Sequence, residues 1–280
     1  MLPGSMLLTI AHLFHRHSLF SLLTIWSLFL PTIAHAALAI DASSPARATE
    51  TNGDGVVTTG SFTPPNTSLL LALVQTDTEG NVPDGTITLT CSSSPTLTWT
   101  NIVQRDPSES SNNGYAGACY ALVTTGQSTT VTVTMGGTAL EANGTRDVTV
   151  KVYVVTGHDT ADPIGASGEG ESDTNAITPT IYTSTVANSR GFGAATDWQQ
   201  LGTPSSTDTG DTFDLAGDIS GLSAYKAADT GASSTAVSMN FDAAGTSAAE
   251  WNWIGVEVNP PAAAAAVVKR KKHFFWFIDW

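Results

Sequence analysis

Threonine alternates with apolar residues in three stretches: Thr86-Ile87-Thr88-Leu89-Thr90, Thr96-Leu97-Thr98-Trp99-Thr100 and Thr130-Val131-Thr132-Val133-Thr134. A period of two places the threonines on one face of an extended chain and Ile, Leu, Val or Trp on the other. β-Branched side chains suit a pleated, half-buried surface, so these stretches predict antiparallel strands with one wet face. Less strict strand patterns cover Val56–Phe62, Leu69–Gln75, Ala118–Val123, Val148–Val155, Ile177–Thr180, Arg190–Ala195, Leu222–Ala227, Ala236–Phe241 and Trp251–Val258. Leu69-Leu70-Leu71-Ala72-Leu73-Val74 is apolar throughout, which predicts a central strand covered on both faces. Turn formers separate the runs: Pro64-Pro65-Asn66, Glu79-Gly80-Asn81, Asn112-Asn113-Gly114, Met135-Gly136-Gly137 and Asn143-Gly144. No 3.6-residue apolar period is sustained after residue 37. The pattern predicts an all-β chain, a two-sheet antiparallel β-sandwich with jelly-roll-like connections, over residues 37–260.

The ends of the chain differ from this body. Arg16 stands in an N-terminal segment free of acidic residues, an apolar run covers Leu19 to Leu30, and Pro31 and Ala34-His35-Ala36 follow. A positive start, a short apolar stretch and an A-x-A exit describe a secretory signal peptide over residues 1–36, cleaved after Ala36 or after Ala34. The alternative is an uncleaved anchor. The apolar run is short for a bilayer, and no later segment predicts a stable membrane span. The expected location is therefore outside the cell, secreted or on the surface. After Pro260-Pro261, residues 261–280 form an appendage: alanines, a Lys269-Arg270-Lys271-Lys272 cluster, then His273-Phe274-Phe275-Trp276-Phe277-Ile278. A basic cluster followed by aromatics has the form of membrane-interface or cell-wall chemistry, and a loose tail is the other reading.

Charge and cysteine narrow the partners. Residues 37–260 hold 24 acidic residues against six basic, a net of −18, while the whole chain carries −14. A body this acidic repels phosphate backbones and anionic lipid, which excludes nucleic acid as an expected partner and suits neutral glycans or cations. Cys91 and Cys119 are the two cysteines. In an oxidising compartment they predict a disulfide between strands; two buried free thiols are the alternative.

Phe62-Thr63-Pro64-Pro65-Asn66-Thr67-Ser68-Leu69-Leu70-Leu71-Ala72-Leu73-Val74 resembles an early strand pair of tail-associated β-sandwich proteins of phages and prophages. Thr98-Trp99-Thr100 is similar to the strand that follows there. Val154-Val155-Thr156-Gly157-His158-Asp159 with Pro163-Ile164 resembles a mid-chain strand and turn, and Trp251-Asn252-Trp253-Ile254-Gly255-Val256-Glu257-Val258 a closing strand. The likeness spans about residues 45–259 and rests on packing and turn positions. It implies a sandwich fold and a virion-surface or adhesion role. The signal peptide departs from that pattern, since virion components normally lack one, and favours a bacterial surface or secreted protein built on the same sandwich.

Candidate chemistry is sparse. After residue 36 and before the tail there is one histidine, His158, so a Ser-His-Asp triad would have to use it. Gly217-Asp218-Ile219-Ser220-Gly221 sets serine one place off a nucleophile elbow. Paired carboxylates are unavoidable among so many acids; Glu169 and Glu171 flank Gly170 in what reads as a polar loop, Gly165–Asn175. Calcium has two candidate sites. Glu50-Thr51-Asn52-Gly53-Asp54-Gly55 mimics the start of an oxygen-rich loop, with Asn52 and Asp54 as ligands, although a hairpin turn explains the same residues. Asp208, Asp211 and Asp214 lie in a second stretch, Gln199–Ser220, that also reads as a long polar loop. Cleavage after Ala34 would make His35 the mature N-terminus, and His35 with His158 would then resemble the copper brace of lytic polysaccharide monooxygenases. For sugar stacking, Trp198 beside Asp197, and Tyr115 beside Asn112 and Asn113, are the candidates; Trp99, Trp251 and Trp253 sit on strands and are expected in the core. Together these features predict a non-catalytic binding or adhesion module for extracellular glycan. A structural component of an extracellular or virion-like assembly, with possible homo-oligomers, and a secreted polysaccharide-active enzyme are the alternatives.

Overall fold

The computed structural model describes residues 37–77, 87–106, 114–137, 146–197, 203–215, 219–244 and 250–262. The signal segment, Trp198 and the basic tail lie outside these. The described chain is all-β, and its strands fall into two successive sets. The first comprises β1 (Ala39–Ile40), β2 (Ala48–Gly53), β3 (Val56–Thr58), β4 (Ser68–Asp77), β5 (Ile87–Ser94), β6 (Trp99–Arg105), β7 (Gly114–Val123), β8 (Thr130–Gly137) and β9 (Arg146–Thr156). The second comprises β10 (Ile164–Ser172), β11 (Ala176–Ile177), β12 (Thr180–Thr183), β13 (Arg190–Asp197), β14 (Thr203–Ser205), β15 (Thr209–Leu215), β16 (Ile219–Tyr225), β17 (Ala236–Ser238), β18 (Phe241–Ala244) and β19 (Trp251–Val258).

The two sets share one connectivity. In the first half β1 and β2 pair with successive parts of one edge of β9, and the order continues β9-β4-β7-β6, with β3-β8-β5 as the facing sheet. In the second half the order is β10-β19-β13-β16-β15, faced by β11-β18-β14 and β12-β17. Replacing β3 by the pair β11 and β12, and β8 by β17 and β18, turns one scheme into the other. Neighbours in both are antiparallel, and first and last long strands pair in the jelly-roll manner. The expected sandwich is therefore present, and it occurs twice.

Local details repeat as well. Thr67 and Asn188 both hold a positive φ (55° and 60°) just before β4 and β13. The serine that follows, Ser68 or Ser189, donates its hydroxyl to the carbonyl three residues back, Pro65 at 2.9 Å or Val186 at 3.4 Å. Both strands end in Thr-Asp. Asp77 Oδ1 accepts the Asp147 amide and Asp197 Oδ1 accepts the Glu250 amide, each at 3.1 Å. These carboxylates pin the start of the last strand of each half.

Three apolar layers lie between the stacked sheets, the two small sheets β11-β18-β14 and β12-β17 sharing one layer of strands. Leu70, Ala72, Val74, Val131, Val133, Val150 and Val152 fill the first sandwich. Ile181, Leu222, Met239, Phe241 and Trp251 fill the second. Between them lies a third layer with Leu69, Leu71, Leu73, Tyr153, Phe192, Ile254 and Val256. The run Leu69–Val74 is continuously apolar because β4 sits between two of these layers and is fully buried. By contrast, the outer face of β3-β8-β5 carries Thr58, Thr132, Thr134, Thr90 and Ser92, with a hydroxyl contact of 2.8 Å between Thr58 and Thr132.

The halves meet back to back about a pseudo-twofold axis, an arrangement in which the same surface is used from both sides. From the first half, Gln75 on β4 donates to the Leu222 carbonyl on β16 at 2.8 Å. In the reverse direction, Thr196 on β13 donates to the Tyr115 carbonyl on β7, also at 2.8 Å. Both rims of the interface carry ion pairs. Arg105 on β6 meets Glu171 on β10 at 2.7 Å. At the other rim Asp211 on β15 receives Lys151 at 3.3 Å and Arg47 at 3.7 Å.

Two expectations are corrected here. Gly165–Asn175 and Gln199–Ser220 read as long polar loops, but β10 occupies most of the first and β14 and β15 much of the second. In β10 the glycines answer close packing: a Cβ on Gly168 would lie 2.3 Å from the Ile181 carbonyl, and one on Gly170 2.4 Å from the Trp253 ring. In β15 the polar residues belong to an edge strand whose Asp211 is part of the rim ion pair.

Candidate binding cleft

The Cys91–Cys119 disulfide is formed; it joins β5 to β7 across the first sandwich, with 6.6 Å between the Cα atoms. The free edge of β5 is closed beside it by side chains of β6. Asn101 donates to the Leu89 carbonyl at 2.9 Å, Gln104 to the Ile87 carbonyl at 3.3 Å, and the Trp99 indole to the Ser93 hydroxyl at 3.2 Å. Trp99 therefore packs inward, and Trp251 is wholly buried.

The residues expected to bind sugar do not share a surface. Tyr115 is fully buried on β7 within the first core, its hydroxyl aimed at Gln104 Oε1 at 3.5 Å, and burial pushes its phenol pKa up. The expectation of an exposed ring is thus corrected, because the chain has already entered the strand at Gly114; Asn112 and Asn113 lie outside the described residues. Asp197 is also fully buried and is engaged with the Glu250 amide. Trp198 falls outside the described residues.

Nor do the expected cation ligands converge. Asp54 Oδ1 accepts the Val56 amide at 3.2 Å and Glu50 Oε2 accepts the same amide at 2.8 Å, which closes the turn around Gly55, at φ 80°, that carries the chain from β2 in one sheet to β3 in the facing one. Asn52 lies on β2. Asp208 is drawn to Lys226 at 2.5 Å and to the Asn240 amide at 3.0 Å. Asp211 serves the rim pair, and Asp214 pairs in register with Ser220 on β16. Among the described residues no three His, Cys, Asp or Glu side chains are gathered for a metal ion.

A triad is ruled out for Ser220 and His158 by position. Ser220 is buried opposite Asp197, at one end of β13, whereas His158 lies in the connector whose Asp159 amide bonds to Asn259, beside the other end. Eight strand residues put these ends about 23 Å apart. His158 is buried, with its Nδ1 unbonded among the described residues, and burial holds its pKa below the ordinary value against the hydrogen bond to Val155. His35 lies outside the described residues. Glu257 is a buried carboxylate that the sequence pattern did not single out. Burial raises its pKa, but the Ala166 amide, the Ser189 hydroxyl and the Thr185 amide and hydroxyl outweigh this and hold it below the usual range. It ties β10, the β12–β13 turn and β19 together.

The described residues of the first half form a cleft of about 470 Å³, lined by Thr96, Leu97, Thr98, Thr100, Tyr120 and Leu122. Strand alternation builds it. Thr96, Thr98 and Thr100 point outward from β6 and the segment before it, and Thr100 pairs directly with Tyr120 on β7. Tyr120 and Leu122 are half-buried against the layer between the halves. The lining has three hydroxyls, one phenol and two leucines, and no charged group. The strict Thr-x-Thr-x-Thr run was the sequence signal for it, but that run also describes any wet strand face.

No protein-family model, curated protein or solved structure matches this chain.

Proposed function

We propose that the protein is an exported, non-catalytic binding module that recognises neutral extracellular glycan. The supporting observation is the cleft: a concave, uncharged, hydroxyl- and tyrosine-lined surface on a body with 24 acidic residues. Sugars present both C–H faces and hydroxyls, and such a lining offers a ring for the first and donors and acceptors for the second. The Cys91–Cys119 disulfide suits an oxidising compartment. No helix among the described residues is long and apolar enough to cross a membrane. The test is a glycan array carrying neutral and anionic oligosaccharides, probed with the secreted protein after N-terminal sequencing. Retention on neutral glycans is expected. Retention on anionic glycans alone, or on none, refutes the proposal, and ordered particles in electron micrographs of a non-binding protein would point instead to a structural component of an assembly.

A further inference from the structure

Aspartate followed by proline occurs twice in the chain, at Asp106–Pro107 and Asp162–Pro163. A peptide bond of this type breaks more readily than others, for a reason internal to it. The aspartyl carboxyl can close a five-membered ring on its own main-chain carbonyl carbon, and the fully alkylated proline nitrogen departs as a secondary amine that readily takes a proton. The second bond lies in the connector of residues 157–163, the backbone that joins β9 to β10 and so the first half to the second. The disulfide lies within the first half and does not bridge this point.

One residue grips both sides of that bond. Asn259, buried just after β19, donates Nδ2 to the Asp162 carbonyl at 3.0 Å and its main-chain amide to the Pro163 carbonyl at 2.8 Å. Its own carbonyl accepts the Asp159 amide at 2.8 Å. The Nδ2 contact falls on the oxygen that carries negative charge once the carbonyl carbon is attacked, where a fixed donor stabilises a tetrahedral intermediate most. Asn259 Oδ1, on the same amide group, is buried without a partner among the described residues, an acceptor in reserve beside a bond whose opening creates new N–H groups. Asp162 is exposed, so its carboxyl meets water and protons, whereas Pro163 is buried. Of the other titratable side chains on the connector and β19, Asp159 is committed to the Ala161, Asp162 and Ala262 amides, Glu257 to Ala166 and Thr185, and His158 is buried. The Asp162 carboxyl is therefore the group placed to act on the bond.

We infer that the chain cleaves itself at Asp162–Pro163, converting one polypeptide into two that stay joined as a pair of sandwiches. The protonated Asp162 carboxyl attacks its own main-chain carbonyl carbon. A C–O bond forms, and the C–N bond to Pro163 breaks as the carboxyl proton passes to the proline nitrogen. The products are a cyclic anhydride at Asp162 and a free Pro163 N-terminus; one water then opens the anhydride and leaves Asp162 with two carboxyl groups. Asn259 is the catalytic donor that holds the carbonyl oxygen through the tetrahedral stage. Because the reacting carboxyl is the protonated form, the rate rises with acidity. The Gln75 and Thr196 bonds, the Arg47 network and the central apolar layer hold the two pieces afterwards. Cleavage happens once per chain, on the chain's own backbone, and is independent of glycan binding.

The test incubates the purified full chain with protease inhibitors in mildly acidic and in neutral buffer, followed by intact mass and N-terminal sequencing. Two fragments are expected, formed faster in acid, with masses that sum to the chain plus one water and one of them beginning at Pro163. Asp106–Pro107 is the internal reference. In the folded protein, cleavage at Asp162–Pro163 should exceed it by about tenfold or more, a conservative share of what one oxyanion donor contributes; in denaturant the two bonds should break at similar rates. Asn259→Ala should remove the preference, and Asp162→Asn, at an exposed position, should abolish the Pro163 terminus. On gel filtration the cleaved protein should elute as the uncleaved one does and part only in denaturant. If Asn259→Ala fails to fold, the ratio of the two bonds in the wild-type protein, with and without denaturant, decides. Equal or slower cleavage at Asp162–Pro163 in the folded chain, or a preference that survives Asn259→Ala, overturns the inference; fragments that separate in native buffer overturn the two-chain form.

Discussion

Arg47 and Arg105 occupy opposite rims of the same interface, and the structure predicts very different consequences for their loss. Arg47 is 8% exposed. Its Nη1 donates to Gln75 Oε1 at 3.2 Å and to Thr149 Oγ1 at 3.0 Å, and its Nη2 to the Asp211 carbonyl at 2.5 Å. The guanidinium also lies 4.6 Å above the Phe213 ring. Arg47→Ala removes three hydrogen bonds from a buried cation, a ring contact and the packing of the stem. Gln75 and Thr149 keep their mutual bond of 3.0 Å, and Asp211, one-third exposed, is rehydrated and keeps Lys151. The loss is therefore less than three full charged hydrogen bonds, and about 3 kcal/mol is the expected cost. Arg105, 21% exposed, faces Glu171 at 39%, and a pair of that kind contributes less than about 1 kcal/mol. Urea unfolding at fixed pH and salt measures both, with the slope checked for equality so that the midpoints report stability. A difference of about 2 kcal/mol or more between the variants is expected. Equal destabilisation would refute the view that burial of the Arg47 network, rather than ion pairing at the rims, holds the halves together.

The buried histidine and the disulfide give two further outcomes. His158 is buried with its pKa below the ordinary 6.5, so its charged form is disfavoured in the folded state. The stability it permits is complete above pH 6.5 and declines as pH falls below that value, because the unfolded chain binds the proton more readily; thermal melts of His158→Gln should show a flatter profile than wild type from pH 6.5 downward. Opening the disulfide by Cys91→Ser with Cys119→Ser frees a loop of 28 residues' separation and should lower stability by about 3 kcal/mol in the chain-entropy picture, measured by chemical unfolding with and without reductant.

The fold was legible wherever one side of a strand faced water. Thr130–Thr134 alternates because β8 has the first core on one side and solvent on the other, and the structure returns that alternation residue by residue. Leu69–Val74 was legible for the opposite reason, being covered twice. The duplication was hidden, since equivalent positions share geometry and seldom identity: Leu71 answers to Phe192 and Tyr153 to Val256. Its traces are small, a positive-φ residue and a serine before one strand. Strands such as β10 escaped notice because contacts through bare backbone favour Gly and Ser, the residues that also mark loops. The candidate site was less legible still. Tyr115 and Tyr120 stand five apart on one strand, and only the depth of each side of β7 shows that the first is core and the second borders a cleft.

The two rims have a further consequence. Among the described residues, the cations of the rim pairs, Arg47, Lys151 and Arg105, belong to the first half, and the anions, Asp211 and Glu171, to the second. A twofold surface would ordinarily accept its own copy. Here two first halves would confront each other with cations at both rims, and two second halves with anions, while unlike halves are matched at both. Polarity converts a self-complementary face into one that recognises only its counterpart.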